Sequence, residues 1–86
     1  MATTYKFPTI TKGSIGGHVM TVQSILLARG FKGEDGKDLK LDGEAGKNTM
    51  YAIASYIKAR KEQGVDLGSI DGWGPKCYAD QNWPKA

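Results

Sequence analysis

Leu41-Asp42-Gly43-Glu44-Ala45-Gly46-Lys47-Asn48-Thr49-Met50-Tyr51-Ala52-Ile53-Ala54-Ser55-Tyr56 is the stretch that decides how the rest of this sequence is read. Its first half is a glycine-punctuated turn. Its second half opens an apolar series, Ala52, Ile53, Tyr56 and Ile57, with the spacing of one helix face. Thirty residues upstream the same phrase occurs as Gly13-x-x-Gly16-x-x-Val19, and a tightened copy follows downstream as Gly72-x-Gly74-x-x-Cys77. A glycine loop feeding a helix start is too small to bury its own apolar face, so the three copies are expected to share one core.

Working outward, Val19, Val22 and Leu26, widened by Ile25 and Leu27, predict a first helix over roughly Gly16 to Arg29, with Gly30 placed for a left-handed cap. Phe31 to Ala45 has no sustained period and reads as loop, with Leu39 and Leu41 alternating as a short strand or an anchor. The second helix is the longest and ends at Gly64. Val65, Leu67 and Ile70 then form another apolar anchor loop. Pro75, at a favoured first helical position, opens a third helix to about Asn82, closed by Trp83-Pro84. Met1 to Thr11 is read as an extended lead-in, because Pro8 opposes a helix there. The expected fold class is all-α: a small non-parallel three-helix bundle built from glycine-loop/helix repeats. It forms one domain over 1–86, with its core in 12–83.

Eighty-six residues suffice for one modest core. A net charge of +3 and a pI near 9.1 favour an anionic partner, which nucleic acid, acidic membranes and cell-wall polymers all satisfy. The lysines are nevertheless spread along the chain, as on an ordinary solvated surface. The densest group, Lys58, Arg60 and Lys61, sits where a helix C-terminus favours positive charge without any ligand. Cys77 is the only cysteine and cannot form an internal disulfide. The start resembles no secretory signal and no stretch has the length of a membrane span, so work outside a cell would require export by a parent polypeptide or release by lysis.

Read as one string, Lys12-Gly13-Ser14-x-Gly16-x-x-Val19-x-x-Val22-Gln23-x-x-Leu26-x-x-x-Gly30 resembles the opening of the bacterial peptidoglycan-binding domain family. Leu41-Asp42-Gly43-x-x-Gly46-x-x-Thr49-x-x-Ala52-Ile53-x-x-Tyr56 is similar to that family's central motif, and Ile70-Asp71-Gly72-Trp73-Gly74-Pro75-Lys76-Cys77-Tyr78 to its closing one. The resemblance covers about residues 10 to 83. Departures are the shortened Gly72-x-Gly74 spacing, Cys77 for the usual threonine, Ile57 where a glutamine is common, and a long interval before Asp71. The resemblance implies a non-catalytic module of the cell wall or extracellular space that anchors a cell-wall hydrolase or lysin to peptidoglycan, covalently linked to a catalytic domain in a longer parent. Alternatives are a small basic nucleic-acid-binding domain and a structural interaction module. Arg29 and Arg60 are the only arginines, and no helix carries base-reading residues at a regular spacing.

Individual residues leave narrower choices. Asp42 and Asp71 precede glycines and suit either Asx-type turns or ligand contact. Asp38, Asp42 and Gly43 imitate part of a calcium loop, but Lys40 and Thr49 occupy ligand positions, so no calcium site is expected. Gln23 and Thr49, one turn inside their helices, are expected to satisfy loop backbone. His18, with no second histidine, is a surface residue or part of a binding lip and makes no zinc site. Glu34, Asp35, Asp38 and Glu44 fall in a polar loop, and a Cys77–His18 nucleophilic pair would have to join two helix starts, so no catalysis and no cofactor are expected. Tyr51 lies off the core stripe. Trp73, between two glycines, is core or a sugar-stacking surface. The candidate ligand contacts are Gly17, His18, Asp42, Lys47, Asn48, Tyr51 and Trp73.

Overall fold

The computed structural model describes residues 8–81. The chain is all-α, with α1 over Gly17–Ala28, α2 over Lys47–Glu62 and α3 over Pro75–Asp80. Among the described residues the only β-type pairings are two isolated antiparallel bridges, Ile10 with Trp73 and Ile15 with Glu44. The expected closure of α3 by Trp83-Pro84, and Met1 to Phe7 of the lead-in, lie outside the described residues. Leu39 and Leu41 form no strand. Leu39 is a buried anchor, whereas Leu41 is 45% exposed.

Both long helices stop for the same reason. Beyond α1, Gly30 takes φ 82° and its N–H reaches Leu27 O, while Phe31 N–H reaches Leu26 O. Beyond α2, Gly64 takes φ 86° with the equivalent bonds Gly64 to Lys61 O and Val65 to Arg60 O. These are Schellman closures, in which a left-handed glycine satisfies the last carbonyls at no Cβ cost. In each, the residue after the glycine, Phe31 or Val65, is partly buried against the core.

The helix starts share a second rule. Gly16, Gly46 and Gly74 are the N-caps, and the third helical residues, Val19, Thr49 and Cys77, all turn into the interior. The glycine loops are joined to one another through backbone. Gly13 N–H bonds Ala45 O at 2.9 Å, Ala45 N–H bonds Ser14 O at 2.8 Å, and Gly16 N–H bonds Gly43 O at 2.9 Å. Ile10 and Trp73 exchange both their bonds at 2.9 Å. The segment from Ile10 to Gly16 therefore pairs with the second and third glycine loops in turn.

The core gathers Val19, Val22 and Leu26 of α1 with Ala52, Ile53, Tyr56 and Ile57 of α2, and Cys77 and Tyr78 of α3. Ile10, Leu39, Ala45 and Leu67 close it from the loops. Ile25 and Leu27 are only half-buried, so the α1 stripe is narrower than the sequence suggested.

One polar network fastens α3. Asp80 accepts from Arg60 Nη2 at 2.9 Å, from Arg60 Nε at 3.2 Å and from the Tyr56 hydroxyl. Gln81 Nε2 donates to the same hydroxyl at 2.7 Å, and Gln81 Oε1 accepts from Arg29, the C-cap of α1, at 3.1 Å. Arg60 thus does more than complement a helix end: it anchors α3. Burial alone would raise the Asp80 pKa. The bonds from Tyr56 and Arg60, with the Arg60 charge, outweigh that and hold it below its ordinary 3.8.

Because the folded pKa of Asp80 is the lower one, its contribution is present above pH 3.8 and is lost as pH falls through the folded value. Chemical denaturation across pH 2 to 6 is expected to show a smaller acid-limb loss of stability in Asp80→Asn than in the wild type. An unchanged acid limb would rule out this network as its source. Ile53→Ala, at the centre of the shared core, is expected to cost about 2 to 5 kcal/mol by the same measurement.

Candidate functional site

The second glycine loop meets α2 at a polar cavity of about 280 Å³, lined among others by Asp35, Asp42, Glu44, Lys47, Asn48 and Thr49. Three of the lining residues, Asp42, Glu44 and Thr49, are bonded by Gln23, a buried residue of α1. Gln23 Oε1 accepts the Gly43 N–H at 2.9 Å. Its Nε2 faces three acceptors: Asp42 Oδ1 at 2.9 Å, Glu44 O at 3.0 Å and Thr49 Oγ1 at 3.0 Å. Only this orientation of the amide puts its oxygen on a donor and its nitrogen among acceptors. The expectation that Gln23 satisfies loop backbone is met here. Thr49 instead accepts from that side chain.

Asp42 also accepts the Glu44 N–H at 3.0 Å, closing an Asx-type turn. The bond from Gln23, then that from the Glu44 amide, keeps the Asp42 carboxylate below its ordinary pKa. One of its oxygens is therefore engaged in the fold, although the residue remains at the surface.

Lys47 and Asn48 are the first two residues of α2. Lys47 Nζ lies 3.3 Å from Glu34 Oε2, with both side chains well exposed. Asn48 Oδ1 accepts the Glu34 N–H at 3.1 Å, and Asn48 Nδ2 reaches Asp35 Oδ2 at 3.4 Å. A Cβ on buried Gly33 would stand 2.7 Å from the Asn48 side chain, so that loop lies directly on it. Asn48, expected as a ligand contact, is thus first a clamp for the loop 33–38. Its sequence carried no sign of this, because the partner is fourteen residues away.

The structure brings Asp42, Lys47 and Asn48 to one cavity and leaves the other candidates elsewhere. Gly17 and His18 open α1, the His18 ring lying so close to Gly16 that a Cβ there would be 2.9 Å from it. Tyr51 is half-exposed on α2 and is not part of the cavity lining. Trp73 has to be withdrawn as a ligand contact. It is fully buried, stacked on Tyr56 with centroids 5.3 Å apart and edge-on to Tyr78 at 6.1 Å. Trp73 directly precedes the N-cap of α3 and packs against Tyr78, the fourth helical residue, as a hydrophobic staple.

Cys77 is buried among the core residues, and burial pushes its thiol up to about 11, far from a nucleophile poised near neutrality. Among the described residues no three His, Cys, Asp or Glu side chains gather as metal ligands, and no helix is long and apolar enough to cross a membrane. No protein-family model, no curated protein and no solved structure matches this chain.

The clamp is open to test. Asn48→Ala is expected to lose about 0.5 to 1.5 kcal/mol, the net worth of an ordinary hydrogen bond, and to speed amide exchange selectively at Glu34. Unchanged exchange at Glu34 would show that the loop holds itself.

Proposed function

We propose that this chain is a non-catalytic cell-wall module that binds peptidoglycan and anchors a hydrolase or lysin to it in the extracellular space or wall. Its architecture is read as three glycine-loop/helix units packed as a small non-parallel bundle. Peptidoglycan stem peptides carry several carboxylates together with amino groups. A receptor for them needs donors for the former and acids for the latter.

The observation that carries the reading is the start of α2. Gly46 supplies no side-chain cap, and the first turn holds no acidic residue, so the amides of the first turn keep their partial positive charge toward the cavity that Gly46, Lys47, Asn48 and Thr49 line. Lys47 is held only by an exposed ion pair, a contact worth about 0 to 1 kcal/mol, so exchanging Glu34 for a ligand carboxylate costs little. Asp35, Asp38, Asp42 and Glu44 line the same cavity beside Lys37 and Lys40, and the four acids suit an amino group. Those four carboxylates also weigh against a nucleic-acid partner, whose phosphates they would repel. Gly17 and His18 at the start of α1, and half-exposed Tyr51, are assigned as flanking contacts.

Co-sedimentation with purified insoluble peptidoglycan, with double-stranded DNA as competitor, tests the reading. Binding is expected to survive the competitor and to weaken with salt, since exposed charges are screened over about 8 to 10 Å. Lys47→Glu is expected to weaken it about fivefold or more, the factor for roughly 1 kcal/mol. Lys58→Glu, charge-matched and exposed farther along α2, is expected to change little. Equal weakening by both would make the attraction a diffuse property of net charge, and retention by DNA alone would replace the reading with its nucleic-acid rival.

A further inference from the structure

The residue just before each glycine N-cap occupies the same place in the three loop-helix units, yet only two of the three are covered. Before α2 it is Ala45, whose N–H bonds Ser14 O and whose C=O accepts from Gly13 N–H. Before α3 it is Trp73, which exchanges both bonds with Ile10. In each case an extended segment lies alongside, and the side chain is fully buried. Before α1 the residue is Ile15. Among the described residues neither its N–H nor its C=O is hydrogen-bonded, and its side chain is 75% exposed.

The direction of that free edge follows from the bridge geometry. Ile15 and Glu44 face each other, but the bonds run from Gly16 N–H to Gly43 O and from Ala45 N–H to Ser14 O. Ile15 is therefore in the wide, non-hydrogen-bonded position of an antiparallel pair, with its own N–H and C=O directed away from the second glycine loop. Glu44, in the matching position, has its outward groups occupied: its N–H by Asp42 and its C=O by Gln23 and Gly46. Only the Ile15 side is left open.

The two segments that meet at this bridge expose further apolar residues. Met20, the fourth residue of α1, is 44% exposed, and its Cβ is within 3.8 Å of where a Gly43 Cβ would stand. Leu41, two residues before Gly43, is 45% exposed. In α3 the equivalents of Ile15 and Met20 are Trp73 and Tyr78, both in the core. Lys12, three residues before Ile15, is in no ion pair among the described residues, and Glu44 stands opposite Ile15.

We propose that the open edge at Ile15 receives a short extended peptide, paired through the Ile15 N–H and C=O as Ile10 pairs with Trp73, with its small apolar side chains laid on Ile15, Met20 and Leu41. The occupant is the peptidoglycan stem peptide, an assignment that rests on the wall-binding reading above. The edge is one residue long, so it fastens one residue of a short peptide and does not extend a sheet. Lys12 complements a carboxylate of that peptide and Glu44 its amino group. A second copy of this chain, itself at +3, lacks that complementarity.

The probe is a soluble stem tetrapeptide containing a diamino acid, titrated into the isotope-labelled chain and followed by amide chemical shifts and exchange. The expected result is a saturable shift and slowed exchange at the Ile15 amide, with smaller shifts at Met20 and Leu41. Ile15→Ala keeps the N–H and is expected to weaken peptide binding about fivefold to thirtyfold through lost apolar cover. Ile15→Pro removes the donor and is expected to abolish it. Should the proline variant fail to fold, the alanine variant and the wild-type shifts decide. Co-sedimentation of the same proteins with peptidoglycan separates the two claims. Wild-type sedimentation that persists in Ile15→Ala, with no peptide shift at Ile15, overturns the edge and leaves the wall reading standing. Absence of wild-type sedimentation overturns the wall reading and with it the stem peptide as occupant. Shifts at Ile15 that grow with protein concentration alone would assign the edge to a second copy and overturn the proposal.

Discussion

The side-chain amide of Gln23 is the constraint on which the rest of this small structure depends. It is buried on α1, it holds the Gly43 N–H, and it donates to Asp42, to the Glu44 carbonyl and to Thr49 at the start of α2. One residue thereby fixes a helix, a loop and a second helix relative to each other. A buried amide with satisfied partners adds modestly to stability, but removing it leaves the buried Gly43 N–H unpaired, at about 1 to 3 kcal/mol. For a domain of this size that is a large share of the whole. An apolar side chain of the same volume would leave the Gly43 amide and the Thr49 hydroxyl without this partner, and the glycine loop would lose the reference that sets the cavity.

The loops around that amide do two jobs with the same atoms. Their backbone pairs, from Ile10 with Trp73 to Gly16 with Gly43, substitute for the sheet that a chain with three helices lacks. Their glycine N-caps leave the helix starts without side-chain caps, a choice that forgoes about a few tenths of a kcal/mol at each start relative to Ser, Thr, Asn or Asp. Stability is recovered elsewhere: in the two Schellman closures, in the aromatic stack of Tyr56, Trp73 and Tyr78, and in the Arg60–Asp80 pair, which is only 29% and 13% exposed. Such a partly buried, doubly bonded pair holds α3, a six-residue helix that could not persist in isolation.

Much of this was legible in the sequence, and the division has a physical basis. Helical spacing found α1 and α2 to within a residue or two, because Val19, Val22 and Leu26, and Ala52, Ile53 and Tyr56, meet the core at 3.6-residue intervals whatever covers them. Gly30 and Gly64 marked the ends because only glycine takes that conformation without cost. That Gln23 serves loop backbone and Tyr56 the core could be read from their helices, but not that Gln23 also holds Asp42 and Thr49. What spacing could not reveal were pairings across long intervals. Asn48 clamps Glu34, Asp80 joins Arg60, and Trp73 stacks on Tyr56, each a choice of partner that no local period encodes. Trp73 was the sharpest case: its place between two glycines left core and surface equally open, and its pairing with Ile10 and stacking on Tyr56 decide for the core.

Pairing beside the residue before a glycine N-cap matters most where it is missing. Ala45 is small enough to vanish beneath the first glycine loop, and Trp73 is large enough to organise the aromatic core; both are covered because an extended segment pairs with their backbone. Ile15 has a β-branched, strongly apolar side chain in the same place, and apolar area left in water forgoes roughly 25 cal/mol for every Å². Nothing in local geometry requires it there, since α1 begins through Gly16 and would begin equally well behind a polar residue. An exposed isoleucine with its backbone unpaired, where the adjoining segments also expose Met20 and Leu41, makes an interrupted edge whose completion needs only one more extended residue. Folding and recognition would then use a single device: a peptide lies beside the residue before a glycine N-cap, twice from within the chain and once from outside it.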